Sequence, residues 1–354
     1  MKILLVIPNL RTGGAETMVE NLAVALRRQE QEPVVVSLYD DRTFISERLE
    51  RAGVRVLYLH KKSGLDVSLI FRLRKLLREE HPVVIHTHLY VLPYVFLAGS
   101  KNIPIVHTFH TVAKREQGKL GRMITAHLIR KKRLTPVALT EATRQTILEE
   151  YRIGAESIPI VQNGIDLEKC RRKSEFSNSD ALCFINVARF RPQKNHALLI
   201  DAFSRYAKQY PKAKLWLVGD GETREATEKQ VKLLKLERNV CFFGNTDNVY
   251  PLLQKADVFI LTSEYEGMPM SIVEAMGTGL PVIATNVGGI PDIVCDGKDG
   301  LLTEVSTMSV LETMCKLTES EELRTALGES ALVSAREYSS ETMARAYMEV
   351  YSQT

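Results

Sequence analysis

Two carboxylates in the segment EGMPMSIVEAMGTGLP (residues 266–281) are spaced so that they could bind sugars. Glu266 lies in a predicted loop with Gly267 and Pro269, and Glu274 lies on the helix that follows. Carboxylate oxygens accept hydrogen bonds from the vicinal hydroxyls of a ribose or a hexose, so one loop and helix could bind both sugars of a nucleotide sugar. The alternative is a helix cap and a surface glutamate, because this spacing alone is common by chance.

A basic loop, residues 188–195, follows the predicted first strand of the second half of the chain. Its Arg189 and Lys194 are five positions apart across Pro192. A guanidinium offers a planar fork to phosphate and an ammonium offers a compact charge, so the two side chains could hold a diphosphate. A solvated basic loop is the alternative, but the position at the carboxyl end of a strand favours ligand binding.

Glycine-rich turns follow two other predicted strands. Gly13 and Gly14 come after the first strand and open a helix, where small residues and free N–H groups suit a phosphate. The turn Val218–Glu222 contains Gly221 and could receive a base or a ribose. Plain tight turns, with an acidic residue of the second turn capping its helix, agree equally well with these sequences.

Four histidines are predicted to follow two strands that are consecutive in the chain: His86, His88, His107 and His110. The spacings H-x-H and H-x-x-H occur in zinc sites, but no nearby Cys or Asp completes a ligand set. Histidines with satisfied hydrogen bonds in the core are the alternative. We favour His110 as a residue of a ligand cleft and leave the other three open.

Residues 113–134 contain eight Lys or Arg residues and one acidic residue. Part of this segment has the pattern of a basic amphipathic helix, which suits an anionic membrane surface. Residues 1–165 hold 25 basic against 16 acidic residues, and residues 166–354 hold 22 against 27. The basic surface therefore belongs to the first half and indicates an anionic partner. Nucleic acid is disfavoured because no aromatic residues are interleaved for base stacking.

Short apolar runs alternate with amphipathic segments along the whole chain, which predicts parallel, doubly wound sheets. The first half has predicted strands at Ile3–Ile7, Val34–Leu38, Val54–Tyr58, Val83–His86, Ile105–His107, Pro136–Leu139 and Ile158–Val161. The second half has them at Leu182–Val187, Lys214–Val218, Val240–Phe243, Val258–Leu261, Val282–Ala284 and Gly300–Leu302. Helices are predicted at Glu16–Arg28, Leu65–Arg78 and Ser339–Tyr351.

The length of 354 residues predicts two domains. The polar stretch Asn163–Asp180 predicts the linker between them. The chain contains no apolar run near the ~20 residues that span a bilayer, and its opening MKILLVIP is too short for a secretory signal. Five scattered cysteines argue against disulfides and against a zinc site, and they fit a reducing cytoplasm.

Together these residues resemble the retaining glycosyltransferases of family 4, which have the GT-B architecture, over nearly the full chain. The features that carry the resemblance are Gly13-Gly14-Ala15-Glu16, His86-Thr87-His88, His110, Arg189 with Lys194, the V-G-D-G-E turn, Phe243-Gly244, the segment 266–281 and T-N-V-G-G-I-P-D. The last of these departs from the family at Asp292, where glutamate is more usual.

The resemblance implies an α/β fold of two Rossmann-like, doubly wound parallel-sheet domains that face a cleft. Residues 1–165 would form the N-terminal acceptor domain, and residues 175–337 the C-terminal nucleotide-sugar donor domain. A helix in residues 339–354 would cross back onto the first domain.

The resemblance also implies four residues at the reaction centre. Arg189 and Lys194 would hold the diphosphate and stabilise the negative charge that develops as the sugar–phosphate bond breaks. Glu266 would accept hydrogen bonds from the transferred sugar, and His110 would line the sugar pocket. No metal ion and no cofactor are expected, since cationic side chains serve the leaving group and the sequence has no D-x-D triplet.

The remaining site residues are expected to bind the donor without reacting. Glu274 would accept from the ribose, and Gly14 would meet the donor phosphate. Backbone atoms supply most of the other expected contacts, at Gly13, Gly221, Phe243, Gly244, Gly267 and Met268.

The implied function is retaining transfer of a hexose or N-acetylhexosamine from a nucleotide diphosphate sugar, for which we expect a UDP-sugar. The acceptor would be a saccharide or a lipid-linked saccharide in the biosynthesis of a cell-surface polysaccharide such as a capsule or exopolysaccharide. We expect a cytoplasmic enzyme at the inner face of the membrane that binds no nucleic acid. A non-catalytic nucleotide-sugar-binding subunit, or a GT-B epimerase or phosphorylase, is the alternative.

Overall fold

The computed structural model describes residues 1–11, 13–64, 66–100, 103–171 and 181–354. These residues divide into two compact units, residues 1–164 with 339–354, and residues 165–338. Each unit is built around one six-stranded sheet in which all neighbouring strands are parallel. The predicted α/β class with two doubly wound sheets is therefore confirmed.

The sheet of the first unit has the strand order β3-β2-β1-β4-β5-β6. Its strands are β1 (Lys2–Ile7), β2 (Glu32–Ser37), β3 (Arg55–Tyr58), β4 (Val84–His88), β5 (Ile105–Phe109) and β6 (Leu134–Ala138). The helices along this part of the chain are α1 (Gly14–Arg28), α2 (Phe44–Arg51), α3 (Val67–Glu80), α4 (Leu92–Ala98), α5 (Ala113–Glu116), α6 (Lys119–Arg130) and α7 (Glu141–Tyr151).

Strand β1 is buried on both faces of the sheet. Ile3 and Leu5 belong to one apolar cluster, whereas Leu4 and Val6 belong to another. Successive side chains of a strand point to opposite faces, so a strand covered on both sides is apolar along most of its length. This is why β1 is an unbroken apolar run in the sequence.

The sheet of the second unit has the order β12-β11-β10-β7-β8-β9. Its strands are β7 (Cys183–Val187), β8 (Lys214–Val218), β9 (Val240–Gly244), β10 (Val258–Leu261), β11 (Val282–Thr285) and β12 (Leu301–Thr303). Its helices are α8 (His196–Gln209), α9 (Arg224–Leu233), α10 (Tyr250–Lys255), α11 (Met270–Gly277), α12 (Thr307–Glu319) and α13 (Glu321–Ser334).

The last helix, α14 (Ser340–Ser352), belongs to the first unit and packs against α1. The Ser339 side chain caps it by accepting from the backbone N–H of Thr342 at 3.0 Å. Tyr347 and Tyr351 are buried, and both hydroxyls reach polar side chains of the sheet. The helix is therefore attached by hydrogen bonds as well as by apolar packing.

Two predicted boundaries differ from the structure. Residues 158–161 form no strand and make only one bridge, between Ile160 and Ala138, because Pro159 has no N–H to continue a ladder. The second unit begins at Ile165, which is fully buried and donates its backbone N–H to Tyr338 O at 2.8 Å. The predicted linker therefore covers part of this unit, and residues 172–180, with the predicted boundary at 175, lie outside the described residues.

Helix α3 begins at Val67, after an Asp66 side chain that accepts from the backbone N–H of Leu69 at 3.2 Å. The predicted first residue of this helix, Leu65, lies outside the described residues.

We expect Tyr351→Phe to destabilise the protein by about 1–3 kcal/mol, because it leaves the buried Nδ1 of His86 without its 2.7 Å partner. Tyr58→Phe is the matched control, since the Tyr58 hydroxyl has no hydrogen-bond partner among the described residues. Urea unfolding of both variants measures the difference. Equal stabilities of the two variants would show that the Tyr351 hydroxyl does not hold the helix.

Candidate functional site

A buried ion pair joins the basic loop after β7 to the loop after β10. Lys194 Nζ donates to Glu266 Oε1, and the two side chains are only 15% and 7% exposed. Ser263 Oγ donates to the same oxygen at 2.6 Å. Strands β7 and β10 are neighbours in a parallel sheet, so their carboxyl ends bring together residues that are 72 positions apart.

Three further hydrogen bonds hold these two loops against each other. The backbone N–H of Glu264 donates to Gln193 O at 2.8 Å, and the Tyr265 hydroxyl donates to Gln193 Oε1 at 3.0 Å. Thr262 Oγ1 donates to Asn195 O at 3.2 Å. The position of Lys194 is therefore fixed by its loop as well as by its charge.

Glu266 is also held through its backbone by Gly288 and Gly289. The Gly289 N–H donates to the Glu266 carbonyl at 3.1 Å. Gly288 has φ of +54°, and a Cβ at this position would collide with the Glu266 carbonyl. Only glycine satisfies both conditions. In the sequence, this V-G-G segment contributed only to the family resemblance, and its contact with Glu266 could not be predicted.

Arg189 differs from Lys194 in that its charge is available to a ligand. It is exposed, and the part of the chain that the structure describes offers it no hydrogen bond or ion pair. The next residue, Phe190, is fully buried and stacks on the His196 ring at 4.1 Å. The loop is thus anchored by Phe190 while the neighbouring guanidinium faces solvent.

The turn after β8 approaches the basic loop backbone to backbone. The Phe190 N–H donates to Asp220 O at 3.0 Å, and the φ values of Gly219 and Gly221 are +131° and +153°. A Cβ on Gly221 would collide with the Phe190 carbonyl, which explains the glycine. The alternative prediction that Asp220 caps α9 is wrong. The N-cap of α9 has no side-chain hydrogen bond, and Asp220 pairs with Arg224 at 3.3 Å.

The remaining predicted donor residues of this unit lie on β9 and around α11. Gly244 accepts from the Gly219 N–H at 2.8 Å, and the half-exposed Phe243 ring lies 5.2 Å from the Trp216 ring. Gly267 and Met268 are buried directly after Glu266. Phe243 and Gly244 are the last two residues of β9, and Gly267 and Met268 lie in the loop after β10. All four are therefore at the carboxyl ends of strands, where ligands bind in such sheets.

Glu274 lies on the second turn of α11 and is partly buried. Burial raises the pKa of the Cys170 thiol to about 12, and the negative charge of Glu274 contributes to this rise. A Cβ on Gly277 would lie 2.8 Å from Cys170 Sγ, so the glycine permits this close packing. The Glu274 carboxylate therefore lies next to the segment that begins the second unit.

In the first unit, Gly13 is the N-cap of α1 and Gly14 is its first residue. No side chain caps this helix, so its first N–H groups could meet an anion. Glu16, however, lies on the same turn, is buried and contacts the position where a Cβ of Gly13 would be. Its carboxylate would oppose a phosphate. Thr12, the first residue of the predicted T-G-G-A-E motif, lies outside the described residues.

Three of the four histidines lie within strands. The predicted strands already end at His86 and His107, whereas His88, predicted to follow its strand, is the last residue of β4. His86 and His88 belong to β4 and His107 belongs to β5, and all three are fully buried. His110 alone follows its strand. The extended strands reflect continued parallel pairing of Thr87 with His107 and of His88 with Thr108.

The histidines form a connected polar network. His86 contacts Tyr351 OH through Nδ1 at 2.7 Å and Thr108 Oγ1 through Nε2 at 2.8 Å. His88 Nδ1 lies 3.0 Å from His110 Nε2. Among the described residues, no three His, Cys, Asp or Glu side chains are arranged to hold a metal ion.

Glu116 and Gln117 are site residues that the sequence pattern did not indicate. Glu116 Oε2 accepts from the backbone N–H groups of His110 and Thr111, at 2.5 and 3.1 Å. Gln117 Nε2 lies 2.8 Å from Nε2 of the buried His107. The only signal is that Glu116 is the one acidic residue of a basic segment, for which the sequence predicts a membrane-facing surface.

That basic segment forms two helices, α5 and α6, which are interrupted at Gly118. Leu120 and Met123 on α6 are 64% and 62% exposed. The exposed cations around them are Lys114, Arg115, Lys119, Arg130, Lys131 and Lys132. In the described ranges, no helix has both the length and the apolar character needed to cross a bilayer.

Comparisons with known sequence families give two matches. Residues 12–169 match the model described as Glycosyltransferase Family 4, and residues 168–332 match the model described as Glycosyl transferases group 1. Between them, the two matches extend from residue 12 to residue 332 of the 354.

Relatives of similar length support these matches. N-acetyl-alpha-D-glucosaminyl L-malate synthase of Bacillus anthracis is 29% identical over 81% of this chain and 78% of that protein. The UDP-Gal:alpha-D-GlcNAc-diphosphoundecaprenol alpha-1,3-galactosyltransferase of Escherichia coli is 27% identical over 72% of this chain and 71% of its own length. The crystal structure of Anabaena HepE with UDP and glucose has the same fold, with a TM-score of 0.86 at 21% identity over 100% of both chains.

We expect acid to destabilise this protein through its buried histidines. Burial lowers the pKa of His86 and His88 well below 6.5, and that of His110 and His196 to about 4. Unfolding lets these rings take up protons below about pH 6.5. The free energy of unfolding should therefore fall as the pH falls from about 6.5 to about 4, by at most about 1.4 kcal/mol per pH unit for each histidine.

Urea unfolding of the wild type and of His196→Phe at a series of pH values tests the predicted pH dependence of the free energy of unfolding. Both His196 ring nitrogens lack partners among the described residues and the ring stacks on Phe190, so phenylalanine should fit and should remove one proton from the pH dependence. The exposed His81, replaced by asparagine, is the control and should leave the slope unchanged. Identical slopes for His196→Phe and the wild type would contradict the prediction.

Proposed function

Because the chain belongs to the family 4 glycosyltransferases of the GT-B type, we propose that it transfers a hexose or N-acetylhexosamine, with retention, from a UDP-sugar. The acceptor is a saccharide or a lipid-linked saccharide in cell-surface polysaccharide biosynthesis. One observation carries the proposal. Lys194 pairs with one oxygen of Glu266, and the loop that contains Lys194 also contains Arg189, which has no partner among the described residues.

The names of similar proteins support the choice of donor and acceptor. The E. coli relative is named for UDP-Gal and for an acceptor on diphosphoundecaprenol. HepE was crystallised with UDP and glucose and shares the fold. A thermal-shift screen of nucleoside diphosphates tests the base directly, since a ligand that binds only the folded state raises the unfolding temperature. The proposal requires a larger shift with UDP than with GDP or ADP.

The geometry of Glu266 suits recognition of a sugar hydroxyl. Its Oε1 accepts from Lys194 and Ser263, whereas its Oε2 has no partner among the described residues. A carboxylate that already neutralises an ammonium is a weak nucleophile, so we assign Glu266 to binding rather than to a covalent intermediate. Glu274 takes the ribose hydroxyls, and His110 contacts the transferred sugar.

The proposed reaction is attack on the face from which the diphosphate leaves. The acceptor oxygen bonds to the anomeric carbon, the bond from that carbon to the phosphate oxygen breaks, and the acceptor proton passes to the departing phosphate oxygen. Arg189 and Lys194 stabilise the charge that develops on the diphosphate. Cationic side chains thus take the part that a divalent metal plays in other transferases.

We expect Arg189→Ala to lower turnover of the UDP-sugar by about a hundredfold or more, because one charge contact to the leaving group is lost. Arg191→Ala is the matched control: it removes the same charge from an exposed position of the same loop. Initial rates of nucleotide release, measured with and without EDTA, report the effect. Lys194→Ala should lose activity similarly, but it also leaves Glu266 unpaired, so its folding is checked by circular dichroism.

Turnover of Arg189→Ala equal to that of Arg191→Ala would overturn the proposed leaving-group site. Loss of wild-type activity in EDTA would overturn the proposal that no metal takes part. Donor binding without transfer to any acceptor would favour a nucleotide-sugar-binding subunit. Epimerised free donor would favour a GT-B epimerase, and donor cleavage that requires phosphate would favour a GT-B phosphorylase.

We also propose that the exposed surface of α6 associates with anionic membrane, where a lipid-linked acceptor would lie. Leu120 and Met123 provide apolar contacts and the surrounding lysines and arginines provide charge. Each cation near an anionic surface contributes about 1 kcal/mol, and exposed apolar side chains add insertion at the interface.

Co-sedimentation with lipid vesicles tests this association. We expect binding to vesicles of phosphatidylglycerol and phosphatidylcholine and much weaker binding to phosphatidylcholine alone. The double variant Leu120→Ser, Met123→Ser should bind less, whereas Leu233→Ser, which replaces an 82% exposed leucine of the second unit, should bind as the wild type. Equal binding to both vesicle types would count against the proposal.

A further inference from the structure

Three neighbouring helices cover one face of the sheet of the first unit. Helix α3 packs against α4, and α4 packs against α6. Their buried residues share an apolar cluster with Leu4 and Val6 of β1, whereas residues of α1, α2 and α14 share the opposite cluster with Ile3 and Leu5. The three helices therefore form one layer, the α3–α4–α6 layer, on one side of the sheet.

Each helix of this layer exposes large apolar side chains. Val67 and Phe71 are exposed on α3, where a spacing of four residues places them on the same face. Leu97 is exposed on α4, and Leu120 and Met123 are exposed on α6. A single exposed apolar residue is ordinary, but a contiguous exposed patch marks an interaction site. Whether these five side chains form one patch depends on the contacts between the helices.

One arginine joins the exposed apolar residues of α3 and α4. Arg74 lies on α3, and its guanidinium donates to Ala98 O at 3.0 Å and to Leu97 O at 3.2 Å, the last carbonyls of α4. The same guanidinium lies 5.9 Å from the centre of the Phe71 ring. Phe71 and Leu97 thus flank one cation and belong to one patch.

An aromatic contact continues the patch from α4 to α6. The Phe96 ring lies 6.1 Å from the His127 ring in an edge-to-face arrangement. His127 is exposed and follows Leu120 and Met123 at helical spacings of seven and four residues, so these three residues share the outer face of α6. The exposed apolar side chains of the layer are therefore connected across all three helices.

The charge on the layer is mostly positive. Its three helices contain two acidic residues and seven basic residues: Arg72, Arg74, Lys75, Arg78, Lys119, Arg122 and Arg130. Glu80 is largely buried against two cations of neighbouring strands, and Glu79 lies 3.6 Å from Lys75. Arg78 is exposed, and the described part of the chain offers it no hydrogen bond or ion pair. The charge that remains at the surface is therefore positive.

An anionic lipid bilayer matches this combination of features. Exposed apolar side chains enter the interfacial region of a bilayer, and the cations around them are attracted to anionic headgroups. A nucleic acid would use the cations but would leave aliphatic side chains such as Val67 and Leu97 in water, because its backbone offers mainly phosphate contacts. The apolar patch therefore favours lipid.

We propose that the whole α3–α4–α6 layer is a bilayer-binding surface, which lies flat on anionic lipid and inserts Phe71 and Leu97 at the interface beside the exposed side chains of α6. The inference rests on the membrane association proposed above, which it extends from one helix to three. A layer that lies flat sets the sheet parallel to the bilayer plane. The carboxyl ends of the strands then open along the membrane surface, so a lipid-linked acceptor reaches them without leaving the bilayer.

Tryptophan fluorescence with brominated lipid tests the insertion of α3. Phe71→Trp adds a probe to the layer, and the wild type supplies the background of Trp216, which lies in the second unit. On vesicles of phosphatidylglycerol and brominated phosphatidylcholine, we expect quenching and a blue shift of the new emission. Glu50→Trp, at an exposed position of α2 on the opposite face, should show neither. Equal quenching of the two probes, or no quenching of Phe71→Trp in vesicle-bound protein, would overturn the inference.

Co-sedimentation measures the contribution of α3 and α4 to affinity. The double variant Phe71→Ser, Leu97→Ser should bind anionic vesicles about tenfold more weakly or worse, since full burial of one such side chain is worth that factor. Arg78→Gln should weaken binding about fivefold, and added salt should shrink this difference. Val333→Ser, at an exposed position of the second unit, should bind as the wild type. Circular dichroism checks that each variant is folded.

The two membrane proposals fail differently. Weaker binding of Leu120→Ser, Met123→Ser with unchanged binding of Phe71→Ser, Leu97→Ser would leave α6 as the attachment and overturn the wider surface. The reverse result would support α3 and α4 and remove α6. Binding of the wild type to duplex DNA but not to anionic vesicles would overturn both. An inactive transferase in which Phe71→Trp is still quenched would leave this inference standing.

Discussion

Lys194 and Glu266 lie on separate loops of the second unit and meet in an ion pair that is almost fully buried. A charge buried without its partner costs several kcal/mol, so each loop depends on the other for its position. Hydrogen bonds from Thr262, Glu264 and Tyr265 then align the two backbones. The spatial relation between the basic loop and the loop before α11 follows from this one pairing.

The same pairing makes the two cations of the basic loop, Lys194 and Arg189, different from each other. Lys194 is neutralised by Glu266 in the absence of ligand, while Arg189 has its charge exposed. In the proposed donor site, a diphosphate would meet an unpaired guanidinium and would compete with a carboxylate for the ammonium. Gly288 packs against the backbone of Glu266, since its positive φ and its close contact with the Glu266 carbonyl exclude any other residue.

The first unit places polar groups inside a sheet, where unpaired atoms are costly. His86 is paired at both nitrogens, and one partner, Tyr351, comes from 265 positions later in the chain. Among the described residues, unpaired nitrogens occur next to it, on His88 and His110. In the part of the chain that the structure describes, the network is thus satisfied where the last helix docks and incomplete at the end of the strands, where two buried ring nitrogens have no partner.

The sequence by itself determined the alternation of strands and helices, because strands covered on both faces are apolar along most of their length, as β1 is from Ile3 to Ile7. It also placed Arg189 and Lys194 in the loop at the end of a strand, Glu266 in a second loop and Glu274 on the helix that follows. Local pattern could not show that Pro159 would end the pairing of residues 158–161 or that Ile165 would be fully buried, since both outcomes depend on distant partners. The contacts of Glu116 with the backbone of His110 and Thr111 also depend on the tertiary fold. In the sequence, Glu116 was therefore only the single acidic residue of a basic segment.

Only the tertiary structure decided which of these groups are paired. It joined Lys194 to Glu266, turned Glu116 towards the backbone of His110, and connected His88 to His110. Spacing along a chain specifies which side chains share a face, but hydrogen bonds between neighbouring parallel strands arise only when the sheet assembles. The chemical types at the site were therefore present in the sequence, whereas their pairing, their free atoms and their orientation were set by the fold.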